Sequence, residues 1–433
     1  MRGELERLKA AGQYRTLTES IPAAEDGWIW RGGRRMLNLA SNDYLGLSRR
    51  LDEADIARWR EHAAGGEPMR ELDLDEEGIH RPSFGAGTAP AIGGGPGAGI
   101  AGKEKELYGG VRTGAAASRL IAGDDPFFGR FEREFAVYKG ADRCLLFGSG
   151  YMANIGIIGA LAGRRDIVFS DKLNHASIVD GALLSRAELV RYRHRDMNHL
   201  EALLQRADPA KRKLIVTDAV FSMDGSLAPL TRLVELKERY GAMLMVDEAH
   251  SGGVYGDEGA GLVHRLGLSS RIDVQMGTFS KAYGCYGAYA AGSALVIDYL
   301  INKARSVIFS TALPPMVVHA IRDQWQNVRR NEWRRKALLG KAERLRAELR
   351  EAGFDTGDSE CHIIPILVGS NERAAEFGSR LQEAGVAAVP IRPPTVPEGT
   401  ARIRLTPMAT HRDDDLRQAA AVMKTIGRQL GVI

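Results

Sequence analysis

Short apolar runs recur through the middle third of the chain, and they predict buried β-strands. The runs are separated by helix-like stretches and occupy residues 143–147, 166–170, 214–219, 243–247 and 273–277. Continuous apolar strands that alternate with helices are typical of a mostly parallel sheet covered by helices on both faces. Polar and glycine residues cluster just after these runs, at the edge where open α/β sheets bind ligands. The pattern therefore predicts an α/β fold with a ligand site at that edge.

The two ends of the chain follow other patterns. Residues 4–11 predict a short N-terminal helix, and residues 36–47 predict a strand that runs into a turn. After Pro314-Pro315 the pattern predicts a smaller α+β domain. Its expected elements are a long charged helix at 317–352, a strand at 363–368, a helix at 373–384, a strand at 401–406 and a closing helix at 411–430. Thr410 and Asp413 are spaced as a capping box for the closing helix.

A segment of different composition occupies residues 65–102. It joins an acidic run at 71–77 to a string rich in Gly, Pro and Ala at 84–102. Such a composition cannot bury enough apolar surface to offset the entropy of ordering, so it predicts a mobile loop. The glycines at 93–97 follow no predicted strand, which disfavours a phosphate-binding loop. A lid, a contact for a carrier protein and an inert loop are the alternatives, and we favour the inert loop.

Charge and length restrict the class of protein. A chain of 433 residues predicts two domains, and the net charge of +4 is only mildly basic. Lys and Arg are scattered, and the clusters at 329–330 and 334–336 lie in a helical stretch among acids. We interpret these clusters as a solvated helix face and expect no nucleic-acid partner.

Cysteines and apolar stretches indicate the compartment. The three cysteines have no paired spacing, so we expect neither a disulfide framework nor a metal site, and a reducing cytoplasm fits. The charged N-terminus lacks the apolar core of a signal peptide. The most apolar stretch, 147–163, is interrupted by Gly, Ser and Asn, which indicates a buried core segment and no membrane association.

Lys281 has an unusual position for a lysine. It lies in Gly-Thr-Phe-Ser-Lys-Ala-Tyr-Gly at 277–284, directly after an apolar run and among small and hydroxyl residues. Burying an ammonium group costs several kcal/mol unless the charge is neutralised, so structural lysines prefer exposed faces. A desolvated lysine with a lowered pKa suits Schiff-base chemistry. The motif alone leaves both a structural and a catalytic interpretation open.

A strand that ends in Asp-x-x-His strengthens the catalytic interpretation. Asp247 and His250 follow the run at 243–247, and Asp247 precedes Lys281 by thirty-four residues. An acidic residue at a strand end is commonly structural. Alternatively, Asp247 pairs with a protonated pyridine nitrogen and makes that ring an electron sink, while His250 reaches the phenolic oxygen of the ring. The combination with Lys281 is more specific than either motif.

Two further junctions carry candidate ligand contacts. The run at 143–147 leads into Gly-Ser-Gly-Tyr-Met-Ala-Asn at 148–154, where small residues leave helix N–H groups open to a phosphate. His175 follows the next strand in Asn-His-Ala-Ser. A lone histidine is usually structural, but a flat imidazole can also stack on an aromatic cofactor.

Together these motifs resemble the fold-type I pyridoxal-phosphate enzymes, and specifically the α-oxoamine synthase family. The resemblance extends from Leu-Ala-Ser-Asn-Asp-Tyr-Leu-Gly-Leu at 39–47 to the C-terminal helix, with the segment 65–102 excluded. It includes Phe-Ser-Met-Asp-Gly at 221–225 and Ile-Phe-Ser-Thr-Ala-Leu-Pro-Pro at 308–315. It implies an aminotransferase-like α/β fold with a mostly parallel central sheet and a smaller α+β C-terminal domain. The expected parts are an N-terminal helix and arm at 1–48, a connecting region at 49–107, a large cofactor-binding domain at 108–313 and a small domain at 314–433.

The resemblance also implies how pyridoxal 5′-phosphate is bound. Lys281 would hold it as a Schiff base, Asp247 would pair with the pyridine nitrogen, and His175 would stack on the ring. The remaining expected contacts are Ser222 and His250 on the oxygen side of the ring, and Gly150, Tyr151 and Thr278 around the ring and phosphate. Thr311 would reach the phosphate of a neighbouring subunit, which implies a homodimer with shared sites.

Members of the family condense an amino acid with an acyl thioester and release carbon dioxide. The stretch at 391–404 resembles members that join L-alanine to a pimeloyl thioester in biotin synthesis. Its two prolines after Arg392 favour these members over glycine C-acetyltransferase and 5-aminolevulinate synthase. The thioester could arrive on coenzyme A or on an acyl carrier protein, and the sequence leaves both open.

Roles toward the substrates follow from the same resemblance. Arg404 would bind the alanine carboxylate, a task suited to a planar guanidinium. Lys281, once released from the cofactor, would act as general base, and His175 would assist reprotonation. The further expected substrate contacts are Arg15, Asn42 and Thr395.

One loop departs from the family pattern, and two other functions stay open. Where the family has Gly-Ser-Gly-Gly-Ser-Arg, this chain has Gly-Ala-Ala-Ala-Ser-Arg at 114–119, which puts the substrate contacts of that loop in question. A sibling synthase that uses glycine or serine is one alternative. A catalytically silent binding protein of the same fold is the other, and the presence of Lys281 and Asp247 disfavours it.

Overall fold

The computed structural model describes residues 1–14, 17–48, 51–63 and 111–433. The segment 65–102 and Arg15 lie outside the described residues, so the expectations about them stay predictions. No helix in the described ranges is long and apolar enough to cross a membrane.

The N-terminal arm contains a helix and a small antiparallel sheet. Its elements are α1 (Arg2–Ala10), β1 (Ser20–Pro22), β2 (Trp28–Arg31) and β3 (Arg34–Asn38), followed by α2 (Glu53–Ala63). The strands pair in the order β1-β2-β3. The helix and the strand predicted in this part of the chain are both present.

The central part of the chain alternates strands with helices. Its elements are α3 (Pro126–Lys139), β4 (Arg143–Phe147), α4 (Gly150–Leu161), β5 (Ile167–Asp171), α5 (Ala176–Ser185), β6 (Glu188–Tyr192), α6 (Met197–Arg206), β7 (Lys213–Asp218), α7 (Leu230–Arg239), β8 (Met243–Asp247), α8 (Leu262–Arg265), β9 (Val274–Thr278), β10 (Ala288–Gly292), α9 (Ala294–Lys303) and α10 (Arg305–Ile308). A π-helical turn at 119–123 precedes α3.

These strands form one sheet in the order β4-β10-β9-β8-β7-β5-β6. Only β10 runs antiparallel to its neighbours, so the predicted mostly parallel sheet is confirmed. All five apolar runs form strands within one residue of their predicted bounds. The sequence did not predict β6 and β10. In β10 the residues Ala-Tyr-Ala-Ala-Gly lack the β-branched side chains that usually indicate a strand.

Both faces of the sheet are buried. Along β4, Cys144 and Leu146 face one apolar core, which includes Phe135 of α3. Leu145 and Phe147 face a second core formed with helices such as α4 and α9. Continuous apolar strands are required because helices cover both sides.

The C-terminal part forms a smaller α+β unit. Its elements are α11 (Pro315–Arg330), α12 (Glu332–Glu351), β11 (Ile364–Gly369), α13 (Asn371–Glu383), β12 (Val386–Ala387), β13 (Val389–Ile391), β14 (Ala401–Leu405) and α14 (Asp413–Gln429). Its three-stranded sheet has the order β11-β14-β13. The strand β12 pairs in parallel with β3, so the N-terminal arm joins this unit.

Three local predictions in this region are wrong. The basic cluster at 334–336 is not a solvated face throughout, because Arg335 is buried and its guanidinium donates to the Val328 carbonyl. The long charged helix is interrupted at Asn331, whose φ of −107° and ψ of 62° are not helical. The closing helix begins at Asp413 with Arg412 as its N-cap residue, so Thr410 does not cap it. A turn closed by the His411 ring, which accepts the Met408 N–H at 3.0 Å, occupies the preceding residues.

Candidate active site

The carboxyl ends of the parallel strands bring the predicted site residues together. Asp247 ends β8, where the strand register places it beside Asp218 of β7 and Met276 of β9. His175 is the N-cap residue of α5, shortly after β5, and Lys281 follows β9 by three residues. The ligand edge predicted from the apolar pattern is therefore the edge where these side chains meet.

A chain of hydrogen bonds starts at Lys281. Its Nζ lies 2.8 Å from Nε2 of His250. The Nδ1 of His250 lies 2.6 Å from the hydroxyl of Tyr44, and this hydroxyl donates to Oδ1 of Asn42 at 3.1 Å. Tyr44 is fully buried, whereas Asn42 is exposed. The chain therefore connects the buried end of the lysine with the open side of the site.

Arg404 of β14 joins the other end of this chain. Its guanidinium donates to Oδ1 of Asn42 at 3.2 Å and to the hydroxyl of Tyr44 at 3.4 Å. The same guanidinium donates to the backbone carbonyl of Ser222 at 2.6 Å. The smaller unit thus contributes a buried cation to a site whose other residues come from the central sheet and the N-terminal arm.

Burial and neighbouring cations set the protonation of this chain. Burial lowers the pKa of His250 well below its ordinary value, and the charges of Lys281 and Arg404 lower it further. Burial raises the pKa of Tyr44 to about 12, although Arg404 opposes this. With a neutral His250, Nε2 accepts from the lysine and Nδ1–H donates to Tyr44. Every bond in the chain then has one donor and one acceptor.

Burial also lowers the pKa of Lys281, to about 8. The carboxylates of Asp247 and Asp218 oppose this shift, while Arg404 adds to it. Near pH 8, Lys281 therefore carries a neutral amine in a large fraction of the molecules. The neutral amine is the form that attacks a carbonyl carbon.

Asp247 is connected to His175 through two other side chains. The amide of Asn154 donates to Oδ2 of Asp247 and to the hydroxyl of Ser177, both at 2.8 Å. The Ser177 hydroxyl lies 2.7 Å from Nδ1 of His175. The Ala249 N–H donates to Oδ1 of Asp247 at 2.8 Å. The orientation of the carboxylate is therefore fixed by two donors.

Asp218 holds the backbone of His175 in place. Its carboxylate accepts the backbone N–H of His175 at 2.9 Å. Asn174 anchors the same turn, because its amide donates to the Val216 carbonyl at 2.7 Å. Burial, with the nearby charge of Asp247, raises the pKa of Asp218 well above its ordinary value. Burial lowers the pKa of His175, so a neutral imidazole is favoured there.

The donor set fits the pyridine end of pyridoxal phosphate. The Asp247 side chain is buried, and among the described residues it has hydrogen-bond donors but no ion-pair partner. A buried carboxylate in this state lacks the compensating charge that usually accompanies burial. A protonated ring nitrogen would supply that charge, and Lys281 stands at the same strand edge to hold the aldehyde carbon.

The N-terminus of α4 fits the phosphate end. Gly150 is the first residue of this helix, and a Cβ there would lie 3.6 Å from Cβ of Thr278, so the two residues are neighbours. The Thr278 hydroxyl lies 2.7 Å from that of Ser280. Helix N–H groups with adjacent hydroxyls suit a phosphate. Tyr151 is exposed, and its hydroxyl donates to Asp180.

Two expected contacts are exposed residues. Thr311 is exposed and lines a small cavity together with Gly148 and Ser310. Thr395 lies exposed in the loop between β13 and β14, where its N–H donates to the Arg392 carbonyl at 3.1 Å.

Several residues of the site carry no motif role in the sequence. Tyr44 links three of the predicted residues, and Asn154 links Asp247 to Ser177. Both lie inside the quoted motifs, so their polar groups next to small residues were an available signal. His362 packs edge-on against Tyr44 at 4.2 Å between ring centroids, and no motif indicated it.

The loop that departs from the family pattern contains a strained residue. Ala116 has a φ of 63°, in the left-handed region that favours glycine. The family pattern has glycine at this position. Arg119, which ends the loop, pairs with Glu132 at 2.9 Å.

Comparison with known proteins identifies the family. The sequence model described as "Aminotransferase class I and II" matches residues 101–423. The chain belongs to this family, and it is a fold-type I enzyme that depends on pyridoxal phosphate. A Bacillus mycoides protein is 48% identical over 436 residues, covering 100% of this chain and 98% of the relative. A Bacillus cereus protein is 49% identical over 424 residues, covering 97% and 94%. Both are named "Putative 8-amino-7-oxononanoate synthase".

Solved structures agree with this family. A serine palmitoyltransferase from S. paucimobilis with bound PLP and myriocin has a TM-score of 0.82 and 27% identity, over 100% of this chain and 98% of that one. The 8-amino-7-oxononanoate synthase of Francisella tularensis has a TM-score of 0.69 and 25% identity, over 91% and 98%. The predicted fold, the cofactor and the resemblance to the α-oxoamine synthases are confirmed.

Proposed function

We propose that this enzyme condenses L-alanine with a pimeloyl thioester, releases carbon dioxide and forms 8-amino-7-oxononanoate for biotin synthesis. The observation that carries the proposal is the hydrogen-bonded chain from Arg404 through Tyr44 and His250 to Lys281. This chain joins a buried guanidinium to a lysine of lowered pKa, which supports roles for Arg404 in binding a carboxylate and for Lys281 as a nucleophilic amine. The names of the curated relatives support the choice of alanine and pimeloyl thioester.

Arg404 and Asn42 would bind the amino acid. The guanidinium is buried, and its position is set by the Ser222 carbonyl and by Tyr44. A charged donor in a buried position favours a carboxylate strongly. Asn42 lies on the exposed side of the site, so its amide is accessible to an entering amino acid.

Lys281 would transfer the proton of the amino acid. Because burial lowers its pKa to about 8, the amine is neutral often enough to remove a proton from carbon. His250, which bonds the same nitrogen, would orient the amine. His175 would be a second proton carrier, since burial lowers its pKa and its Nδ1 is held by Ser177.

Asp247 would hold the proton on the cofactor nitrogen. Bound pyridoxal phosphate supplies an electron sink for the carbanion at the α-carbon. Asn154 and the Ala249 N–H each donate to one carboxylate oxygen of Asp247, so the position of this carboxylate is fixed. Ser222, Gly150, Tyr151 and Thr278 remain proposed cofactor contacts on the basis of the family motifs.

The enzyme would act as a homodimer. Thr311 is exposed, and exposure is required of a residue that reaches a neighbouring subunit. Thr395 and Arg15 remain proposed substrate contacts. Coenzyme A and an acyl carrier protein are both retained as carriers of the pimeloyl group.

Carbon dioxide release from carboxyl-labelled amino acids tests the proposal. L-Alanine, glycine and L-serine would each be assayed with pimeloyl-CoA and with a pimeloyl carrier protein. We expect alanine with one pimeloyl donor to give the highest kcat/KM. Equal or higher values for glycine or serine would contradict it.

A serine-dependent reaction with a long-chain acyl thioester is the second candidate. The serine palmitoyltransferase structure matches the whole chain with the higher TM-score. The same assay with palmitoyl-CoA separates the two, because only the second candidate predicts that serine and palmitoyl-CoA are preferred.

A further inference from the structure

A fully buried ion pair involves Glu248, the residue that follows Asp247 of the site. Lys139, the last residue of α3, places its Nζ 2.5 Å from Oε2 of Glu248, and neither side chain has exposed surface. The same Nζ donates to the backbone carbonyl of Ala260. The proposed function gives Lys139 and Glu248 no role.

Glu248 lies in the segment 247–251, which we name the cofactor turn. Its Oε1 accepts the Ser251 hydroxyl at 2.9 Å and the Val263 N–H at 3.0 Å. Its backbone N–H donates to the Met276 carbonyl at 2.6 Å, and its carbonyl accepts the Gly252 N–H at 2.8 Å. The residue is thus bonded to the next strand, to its own turn and to the start of α8.

The space around the carboxylate is filled. A Cβ at Gly261 would lie 2.4 Å from Oε1 of Glu248, and the φ of this glycine is +115°. The ring of Tyr289 lies on another side, with its centroid 5.6 Å from Nζ of Lys139. The ion pair is therefore closely packed, with little room for either side chain to move.

We propose that Lys139 is a positioning residue for the cofactor turn and acts through Glu248. Asp247 precedes Glu248 in the chain, and His250 follows it by two residues. When the ion pair fixes Glu248, it also fixes the Asp247 carboxylate, which would pair with the cofactor nitrogen, and the His250 imidazole, which contacts Lys281. Without Lys139, the Glu248 side chain loses its contact with α3, and Asp247 and His250 would lose their fixed positions with it. The lost cation also leaves a buried charge without compensation, which lowers stability. This positioning role rests on the proposed function of Asp247 and Lys281 in holding the cofactor, and it is the same for every acyl donor.

The substitution Lys139→Met in the full chain tests the inference, because it removes Nζ and keeps a similar length. The dissociation constant of pyridoxal phosphate from the apoenzyme and the pH midpoint of the holoenzyme absorbance are measured. We expect the dissociation constant to rise about tenfold, by analogy with residues that hydrogen-bond to metal ligands and orient them. We also expect the pH midpoint of the holoenzyme absorbance to shift. A wild-type dissociation constant and midpoint would overturn the inference.

Lys237→Met is the matched control. The Nζ of Lys237 lies 2.6 Å from Oδ2 of Asp273, which also accepts the Leu244 N–H at 2.7 Å. This variant breaks an ion pair at the amino end of β8, the same strand whose carboxyl end carries the cofactor turn. We expect it to leave the dissociation constant and midpoint unchanged. Equal effects in both variants would show a general loss of packing and overturn the inference.

The double variant Lys139→Met/Glu248→Gln separates positioning from folding, and it carries the test if the single variant does not fold. With both charges removed, no buried carboxylate lacks a cation, so we expect the melting temperature to recover toward the wild type. The raised dissociation constant should remain, because the contact from Lys139 is still missing. A dissociation constant that recovers together with the melting temperature would show a purely structural pair.

Discussion

The Nζ of Lys281 lies 2.8 Å from Nε2 of His250, at the point where the central sheet meets the N-terminal arm. A buried histidine beside a lysine stays neutral, and the neutral ring accepts from the amine. This contact orients the lysine side chain. The pH then determines what fraction of the amine is neutral and able to react.

The pH dependence of cofactor attachment follows from the lowered pKa of Lys281. The neutral amine attacks the aldehyde, so the rate of attachment to the apoenzyme should rise with pH and reach half its maximum near the pKa of about 8. The Asp247 carboxylate raises the pKa of this lysine, so Asp247→Asn should move the midpoint to lower pH. Stopped-flow absorbance measures both. A midpoint near the ordinary value of 10.5, or an upward shift in the variant, would contradict this account.

Arg404→Gln should weaken binding of the amino acid. A hydrogen bond to a charged group contributes about 1.5–3 kcal/mol, which corresponds to a rise in KM for the amino acid of about 10- to 100-fold. Arg350→Gln is the control, since that guanidinium donates to Thr356 at 2.7 Å and to the Gly357 carbonyl at 3.1 Å within the smaller unit. Steady-state kinetics give both values. An unchanged KM for Arg404→Gln would remove its assigned role.

Ala116→Gly should stabilise the protein. A left-handed alanine costs about 1–2 kcal/mol, and part of the gain is offset by the extra entropy of an unfolded glycine, so we expect a net increase of about 0.5–1 kcal/mol in the free energy of unfolding. Ala115→Gly, at a buried neighbouring residue without positive φ, should destabilise it. Urea unfolding compares the two, and a loss of stability in Ala116→Gly would contradict the expectation.

Local chemistry explains which parts of the fold were predictable. The runs that became β4, β5, β7, β8 and β9 are continuous and apolar because both faces of the sheet are covered. The small residues of β10 do not form an apolar run of this kind, although the strand is fully buried between β4 and β9. Asn331 interrupts a helix whose charged pattern continues on both sides, so periodicity alone could not locate the break.

The site was predictable where a strand end carries a motif. Asp247, His250 and Lys281 follow strands of one sheet, so their meeting follows from topology. The link from Arg404 to Tyr44 joins residues 360 positions apart through the packing of the arm against the smaller unit, and no spacing encodes it. The roles of Arg15, Thr311 and Thr395 rest on family motifs and stay predictions.

Borohydride reduction of the holoenzyme, followed by peptide mass spectrometry, tests the central claim most directly. Reduction converts a lysine-bound cofactor into a stable pyridoxyl adduct. We predict the adduct on the peptide that contains Lys281 and its loss in Lys281→Ala. An adduct on another lysine of the wild-type enzyme, or an undiminished adduct in the variant, would contradict the assignment of Lys281 as the residue that holds the cofactor.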